Sequence, residues 1–304
     1  MKEAKYIWMN GKLVEWKDAK VHLLTHTLHY GNGVFEGTRA YQTEMGLAIF
    51  RLDDHCKRLY NSAKIVAIEP NIEYEEFKNA HIELLRANDF KDNVYIRPII
   101  FLGYGVMGLL HINAPVESAI AAWEWGAYLG DEGLENGIKV CTSSIVRNSI
   151  KSTFGKAKAV ANYLNSQLAK YEAVKNGFEE ALLLDENGFV AEGSGECIFI
   201  VRDEVLITPP NDNSLESITQ ATIIELAKML GIEVVRRNIT RDEVYICDEA
   251  FFTGTAAEVT PINSLDHRVI GNGKRGEITK ILQDAYFDVV YGRDERYFHY
   301  LTFV

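Results

Sequence analysis

One lysine and one carboxylate, separated by a helix and a hairpin, carry the chemistry most legible in this chain. Lys158 opens the stretch KAVANYLNSQLAKYEAVKNGFEEALLLDENGFVAE, and Glu192 closes it. A lysine amine attacks an aldehyde only when neutral, so it needs a partly desolvated site that lowers its pKa. A carboxylate at a strand end, here just before Gly193-Ser194-Gly195, holds a basic ring nitrogen protonated and makes the ring an electron sink. Either residue alone reads as an ordinary solvated charge. Lys151 and Lys156 compete with Lys158 on spacing alone.

A third requirement is a grip on an anion. Helix N-termini and turns rich in backbone N–H bind phosphate, often with an arginine. The candidates are Arg58, the helix start Ser217-Ile218-Thr219 and the turn Gly254-Thr255. Lysine, carboxylate and phosphate cup together describe pyridoxal phosphate. Arg97 adds a second anion site: it interrupts the apolar run NVYIRPIIFL, where an unpaired charge is costly. A ligand carboxylate or an internal salt bridge would each relieve that cost.

The elements that must position these residues follow from periodicity. Val160, Leu164, Leu168, Tyr171 and Val174 recur at three and four residues and predict an amphipathic helix that begins at Lys158 and stops at Asn176-Gly177. Ala181–Leu184 and Phe189–Ala191 flank the turn Asp185-Glu186-Asn187-Gly188, a hairpin signal. Upstream, residues 6–16 predict a hairpin around Asn10-Gly11, and residues 23–41 a glycine-punctuated turn and strand. Leu47–Phe50 reads as a strand, and Asp53-Asp54 as the cap of a helix buried through Cys56, Leu59, Ala63 and Val66. A helix over Glu75–Asn88 and strands over Asn93–Leu102 and Ala119–Trp125 complete the first half. Strands at Ile138–Cys141, Cys197–Val201, Val205–Ile207, Ile232–Val235 and Ala250–Thr253 follow. They alternate with a helix capped by Ser217 with Ile223, Ala227 and Leu230 inside, a short helix near Asp242, and a last helix through Ile278, Leu282, Ala285 and Val289. The tail from Gly292 to Val304 fits no pattern.

At 304 residues, 47% of them hydrophobic, the chain suits two globular domains. The glycines and acids of residues 126–133 place a linker between a domain over 1–125 and a larger one over 134–304. The net charge of −11 argues against nucleic acid or an anionic membrane as partner. The four cysteines are scattered, without C-x-x-C, and imply neither a disulfide framework nor a zinc knuckle. The first sixteen residues lack the apolar core of a signal peptide, and no apolar run reaches spanning length, so a reducing, cytoplasmic setting is expected.

The strings HYGNGVFEGTRAY (29–41), DHCKRL (54–59), YIRP (95–98), KAxxNYL (158–164), EGSGE (192–196) and FTGTAAEVTPI (252–262) resemble, in order and spacing, the branched-chain amino-acid aminotransferases. These belong to the fold-type IV pyridoxal-phosphate enzymes. The resemblance implies a two-domain α/β (α+β) protein of the D-amino-acid-aminotransferase-like fold: an N-terminal α/β sandwich, a C-terminal pseudo-barrel and the cofactor in the cleft. It implies ping-pong transfer of an amino group from leucine, isoleucine or valine to 2-oxoglutarate. Lys158 would bind the cofactor aldehyde and shuttle the Cα proton, Glu192 beside the Gly195 turn would meet the ring nitrogen, and Tyr163 the ring hydroxyl. Arg58, Ser217, Ile218, Thr219, Gly254 and Thr255 would hold the phosphate. Tyr95, Thr255 and Ala256 would receive the substrate α-carboxylate, and Arg97 the side-chain carboxylate of glutamate. Phe35, Gly37 and Tyr128 would line the branched side-chain pocket, with Arg39 nearby. Tyr30, Met107 and Leu109 would come from a neighbouring subunit, which implies at least a homodimer, or a hexamer built of dimers.

Ser217 stands where that family usually has glycine; a serine there still caps a helix. The same fold also serves D-amino-acid transaminases and aminodeoxychorismate lyases, which would keep Lys158 and Glu192, but VFEGTRAY and Arg97 argue against both. A non-catalytic phosphate-ligand binder would need only the cup. Two motifs are set aside. Gly103-x-Gly105-x-x-Gly108 follows a strand like a dinucleotide fingerprint, yet Pro115 denies it the required helix. His22, His26 and His29 have no zinc-type partner motif, so no metal is expected.

Overall fold

The protein was described from a computed structural model covering residues 2–126, 130–212 and 214–304. Tyr128, expected in the side-chain pocket, lies outside the described residues. The chain divides into two compact units. One comprises Met1–Gly126, Lys156–Asn162 and Val290–Val304, the other Ala127–Gly155 and Tyr163–Val289. Segments 156–162 and 290–304 thus cluster with the first unit, which a single cut at 126–133 does not express.

In the first unit β1 (Tyr6–Met9) and β2 (Lys12–Glu15) form the expected hairpin, with Asn10 and Gly11 both at positive φ, as a tight two-residue turn requires. A short helix α1 (His26–Tyr30) occupies the glycine-punctuated stretch, where only a turn and a strand are expected. It leads to β3 (Gly33–Phe35), β4 (Thr38–Thr43) and β5 (Gly46–Phe50). Helices α2 (Leu52–Ile65) and α3 (Tyr74–Asn88) precede β6 (Val94–Leu102) and β7 (Val116–Glu124). The tail contributes a strand too: Leu301–Phe303 pairs with β5 and forms one edge of the eight-stranded sheet. The order inward from it is β5-β4-β6-β7-β1-β2, with β3 also on β6. Pro98 is tolerated in the middle of β6 because on that side β4 pairs with β6 only from Val94 to Ile96, through Thr38 to Ala40, and β3 pairs with it only from Ile99 onward, ending at Phe35. At that break Glu36 N–H donates to the Pro98 carbonyl at 2.9 Å, so the missing proline N–H leaves no partner stranded.

The α2 cap differs from expectation. Its N-cap is Arg51, in the left-handed region at φ 51°, whose N–H donates to Tyr300 O at 2.7 Å and whose guanidinium stacks 4.4 Å from the Tyr300 ring. Asp53 and Asp54 lie instead in the first turn, where they complement the helix dipole. Cys56, Leu59 and Ala63 are buried as expected, against Trp8, Phe77, Leu84, Ile96 and Ile120, with Val66 packed at the rim.

The second unit holds a short helix α4 (Asp131–Asn136), which overlaps the end of the linker expected over 126–133, and β8 (Ile138–Thr142). Helix α5 spans Tyr163–Lys175, followed by β9 (Glu180–Leu184), β10 (Val190–Gly193), β11 (Cys197–Arg202) and β12 (Val205–Thr208). Next come α6 (Ile218–Met229), β13 (Val234–Arg236), α7 (Arg241–Tyr245) and β14 (Glu249–Gly254). The unit ends with β15 (Glu258–Leu265), β16 (Arg268–Val269) and α8 (Glu277–Val290). Its sheet runs β10-β9-β8-β15-β14-β11-β12-β13, with β16 on β15. Leu230 caps α6 and is 41% exposed rather than inside.

The helix expected from Lys158 is corrected in two ways. Lys158 precedes it: a 3-10 turn over Val160–Asn162 intervenes and the α-helix starts at Tyr163. The face is also reversed. Leu164, Leu168, Tyr171 and Val174 are exposed, whereas Ser166, Ala169 and Ala173 are buried, the two alanines against Cys141, Ala181 and Leu183. Small side chains let the helix backbone settle closely on β9, so the stripe that gives the periodicity faces outward. Among the described residues no helix is long and apolar enough to cross a membrane.

Candidate active site

Lys158 is placed by backbone hydrogen bonds on two sides. Phe35 N–H donates to Lys158 O at 3.1 Å, and Val34 bridges Ala159, so the segment runs antiparallel beside β3. Lys158 N–H donates to Ser62 Oγ on α2 at 3.0 Å. Ala157 and Ala159 on either side are buried, which fixes the direction of the lysine side chain. Its Nζ stands 5.2 Å from the Phe35 ring centroid, half-buried, in the partly desolvated setting a nucleophilic lysine needs.

The same ring carries a second cation. The Arg97 guanidinium lies 4.8 Å from the Phe35 centroid, and Arg97 Nη2 donates to the Tyr95 hydroxyl at 3.1 Å. Arg97 Nε is buried without a hydrogen-bond partner, and Arg97 forms no ion pair among the described residues. The internal salt bridge that would have explained this arginine is therefore not formed. Gly37 is fitted against Tyr95: a Cβ there would stand 2.0 Å from the tyrosine hydroxyl, so only glycine keeps the space open. Tyr95 in turn packs edge-on against Trp125, centroids 4.9 Å apart. Phe35, Gly37, Tyr95, Arg97 and Lys158 are thus brought together. Arg39, 2% exposed, is spent on the backbone, donating to Trp125 O at 2.9 Å and Gly126 O at 2.5 Å.

Arg58 is held by a residue sequence reasoning missed. Glu36, fully buried, accepts from Arg58 Nε at 2.6 Å and Nη2 at 2.8 Å, with His55 Nδ1 2.8 Å away. Burial by itself would raise the Glu36 carboxyl, but the Arg58 charge and the His55 and Arg58 hydrogen bonds bring it well below the carboxylate range. Burial lowers the His55 pKa, against the opposing pull of Glu36. An acid between Phe35 and Gly37 gives no periodic signal; only its place inside VFEGTRAY marks it.

Tyr30, Met107 and Leu109 also share one neighbourhood. The Tyr30 hydroxyl accepts from Gly108 N–H at 3.1 Å, and His26 Nε2 lies 2.9 Å from Gly108 O. Met107 and Leu109 are 45% and 87% exposed, amid exposed Leu23, Leu28, Leu110 and Ile112. The chain after Gly108 runs into β7 without a helix, and His22 and His29 make local hydrogen bonds while His26 bonds Gly108.

The second unit holds the remaining candidates. Glu192, 7% exposed near the end of β10, accepts from Arg147 Nε at 2.5 Å. Arg147 Nη1 also reaches Asn165 Oδ1 at 3.2 Å, and Asn165 Nδ2 donates to Val146 O at 2.8 Å. Asn165 lies two residues after Tyr163 in the first turn of α5, so the start of that helix and Glu192 belong to one bonded network. Arg147, in the unpatterned SSIVRNSIKS, was missed because nothing in its surroundings repeats. The turn after Glu192 is tied back: Gly193 N–H donates to Glu196 O at 2.7 Å, and Gly195 N–H to the Glu196 carboxylate. Burial, reinforced by Glu180, raises the Glu196 pKa well above its ordinary value.

Ser217 caps α6 as expected, its Oγ accepting from Gln220 N–H at 3.1 Å. Ile218 and Thr219 are the first residues of that helix, both buried. Helix α6 packs on β14, whose end leads into Gly254, Thr255 and Ala256. Thr253 Oγ1 closes this turn by donating to Glu258 O at 2.7 Å.

Residues 33–265 match the family described as amino-transferase class IV. A relative from Pseudomonas aeruginosa, named branched-chain-amino-acid aminotransferase, is 51% identical over 298 residues, covering 98% of this chain and 97% of that one. The solved branched-chain amino acid aminotransferase of T.th. with pyridoxamine 5'-phosphate aligns with a TM-score of 0.96 at 48% identity, over 100% of this chain and 99% of that one. The same enzyme complexed with N-(5'-phosphopyridoxyl)-L-glutamate gives 0.95 at 47% identity with equal coverage.

Proposed function

The chain belongs to the amino-transferase class IV family, and from that membership we propose that it is a pyridoxal-phosphate enzyme moving amino groups between branched-chain L-amino acids and 2-oxoglutarate. Its two-unit α/β architecture is fold type IV. The relative's name supplies the substrate class, and the neighbours' ligands, pyridoxamine phosphate and a phosphopyridoxyl-glutamate adduct, supply the cofactor and the acidic partner substrate.

The residues fit such a cofactor. There is a half-buried lysine on an aromatic wall, a carboxylate fixed near a strand end by an arginine, and a serine-capped helix start for a phosphate. When bound, the cofactor supplies an electron sink that makes the substrate α-proton removable. Lys158 Nζ would take that proton and return it, Glu192 would keep the ring nitrogen protonated, and Tyr163 would bond the ring hydroxyl. Arg58, Ser217, Ile218, Thr219, Gly254 and Thr255 would hold the phosphate, with Gly195 a further cofactor-binding residue. Tyr95, Thr255 and Ala256 receive the α-carboxylate. Phe35 and Gly37, with Tyr128, shape the apolar pocket; Arg97 meets the γ-carboxylate of glutamate when the second half-reaction brings it.

The observation that carries this reading is the shared aromatic wall. One ring, Phe35, faces both the Lys158 amine and an arginine with a buried, unsatisfied Nε. A pocket that takes leucine in one half-reaction and glutamate in the other needs apolar walls and one available cation.

The working enzyme is at least a homodimer in a cytoplasmic setting. Tyr30, Met107 and Leu109 are exposed apolar side chains, and a second copy covers them. All four cysteines are free and buried. Single half-reactions test the assignment: conversion of the bound cofactor by L-leucine, L-isoleucine or L-valine, reversed by 2-oxoglutarate, supports it. Preference for D-alanine refutes it.

A further inference from the structure

Gln220 belongs to no part of the reaction just described, yet it is 2% exposed at the third position of α6 and hydrogen-bonded through both ends of its amide. Its backbone N–H is taken by the Ser217 cap. Its side-chain Nε2 donates to Thr208 Oγ1 at 2.9 Å, and its Oε1 accepts from Arg236 Nη2 at 3.0 Å. Thr208, also buried, passes the tie onward by donating to Ile198 O at 2.8 Å on β11. Arg236 meanwhile holds the approach to the helix, donating to Asn211 Oδ1 at 2.9 Å. One amide thus connects the opening turn of α6 to β11, β12, β13 and the loop that precedes the helix.

We infer that Gln220 is a positioning residue for the phosphate cup: it fixes the direction in which the Ile218 and Thr219 N–H groups point. The inference rests on the proposal that this helix start holds the cofactor phosphate. A glutamine serves because it donates on one side and accepts on the other, and a buried amide left unpaired would be costly. A helix N-terminus binds an anion through aimed N–H groups, and its hold weakens when the first turn can tilt. Residues that aim such groups are selective for the anion and indifferent to the rest of the ligand.

The test compares two ligands of the full-length protein freed of cofactor: pyridoxal phosphate and pyridoxal, which lacks the phosphate. Wild type binds the phosphorylated form much more tightly; equal affinities would overturn the phosphate reading itself. Given that preference, Gln220→Met, close in volume but without the amide, weakens pyridoxal phosphate about tenfold and leaves pyridoxal affinity unchanged. Thr208→Val gives the same selective loss, and the double variant loses no more than either single change, since both break one tie. Full retention of pyridoxal phosphate affinity in Gln220→Met and Thr208→Val, or equal loss of both ligands, would overturn the inference while leaving the phosphate reading intact. Thr208→Val keeps the question answerable should Gln220→Met not fold.

Discussion

Arg58 grips Glu36 with two parallel N–H groups, at 2.6 and 2.8 Å, and the carboxylate it grips has no exposure to water at all. The pair joins α2 to the break between β3 and β4, two residues before Thr38 and one after Phe35. It also fixes where the remaining face of the guanidinium is directed. Removing one member of a buried pair strands the other charge. Glu36→Ala is expected to cost about 3 kcal/mol or more of stability and to loosen cofactor retention. Thermal unfolding and cofactor release measured on one preparation check this; unchanged values in both would contradict it.

The same cluster gives a pH dependence. Glu36 titrates below its ordinary 4.5 and His55 below its ordinary 6.5. Both folded-state shifts are downward, so unfolding takes up protons and the stability contributed is present above the ordinary values and lost as pH falls. Stability should therefore decline as pH drops below 6.5, through His55, and further below 4.5, through Glu36. In Glu36→Gln the second decline shrinks. Unfolding titrations between neutral and acid pH measure this, and an unchanged acid limb in the variant would refute it.

Arg97 separates the two half-reactions. Arg97→Met keeps the volume and removes the guanidinium, so the leucine half-reaction is retained while the apparent affinity for 2-oxoglutarate falls about a hundredfold, the worth of two charge-assisted hydrogen bonds. Equal losses in both half-reactions would assign Arg97 to general packing on Phe35.

Arg147 restrains Glu192 through a 2.5 Å contact. In Arg147→Met that restraint is gone and the carboxylate reorients. The pH at which the bound cofactor changes colour should shift, with Glu192→Gln shifting it as well. A wild-type titration curve in Arg147→Met would show that the contact has no bearing on the cofactor.

Much of this arrangement was legible from residue order. Short, nearly continuous apolar runs placed β6, β9, β11 and β14, because largely buried strands leave that mark. Asn10-Gly11 and Gly188 marked their turns because the backbone there needs positive φ. The face of α5 was misread because periodicity reports spacing and not what lies opposite: alanines at 169 and 173 pack where leucines do not fit. The strand Leu301–Phe303 was invisible because three residues make no pattern, and its partner β5 and the adjoining Arg51, which contacts Tyr300, lie about 250 residues earlier in the chain. Glu36 and Arg147 escaped notice for a related reason. A charge is buried by a partner distant in sequence, Arg58 for one and Glu192 for the other, and no local window contains both.

The account depends most on Lys158 as the residue that binds the cofactor. Borohydride reduction of the holoenzyme, followed by proteolysis and mass spectrometry, reads that bond directly. The phosphopyridoxyl mass is expected on the peptide containing Lys158, and Lys158→Ala should carry no label and no near-visible absorbance band. Label on Lys151, Lys156 or any other lysine of the wild-type protein would contradict it.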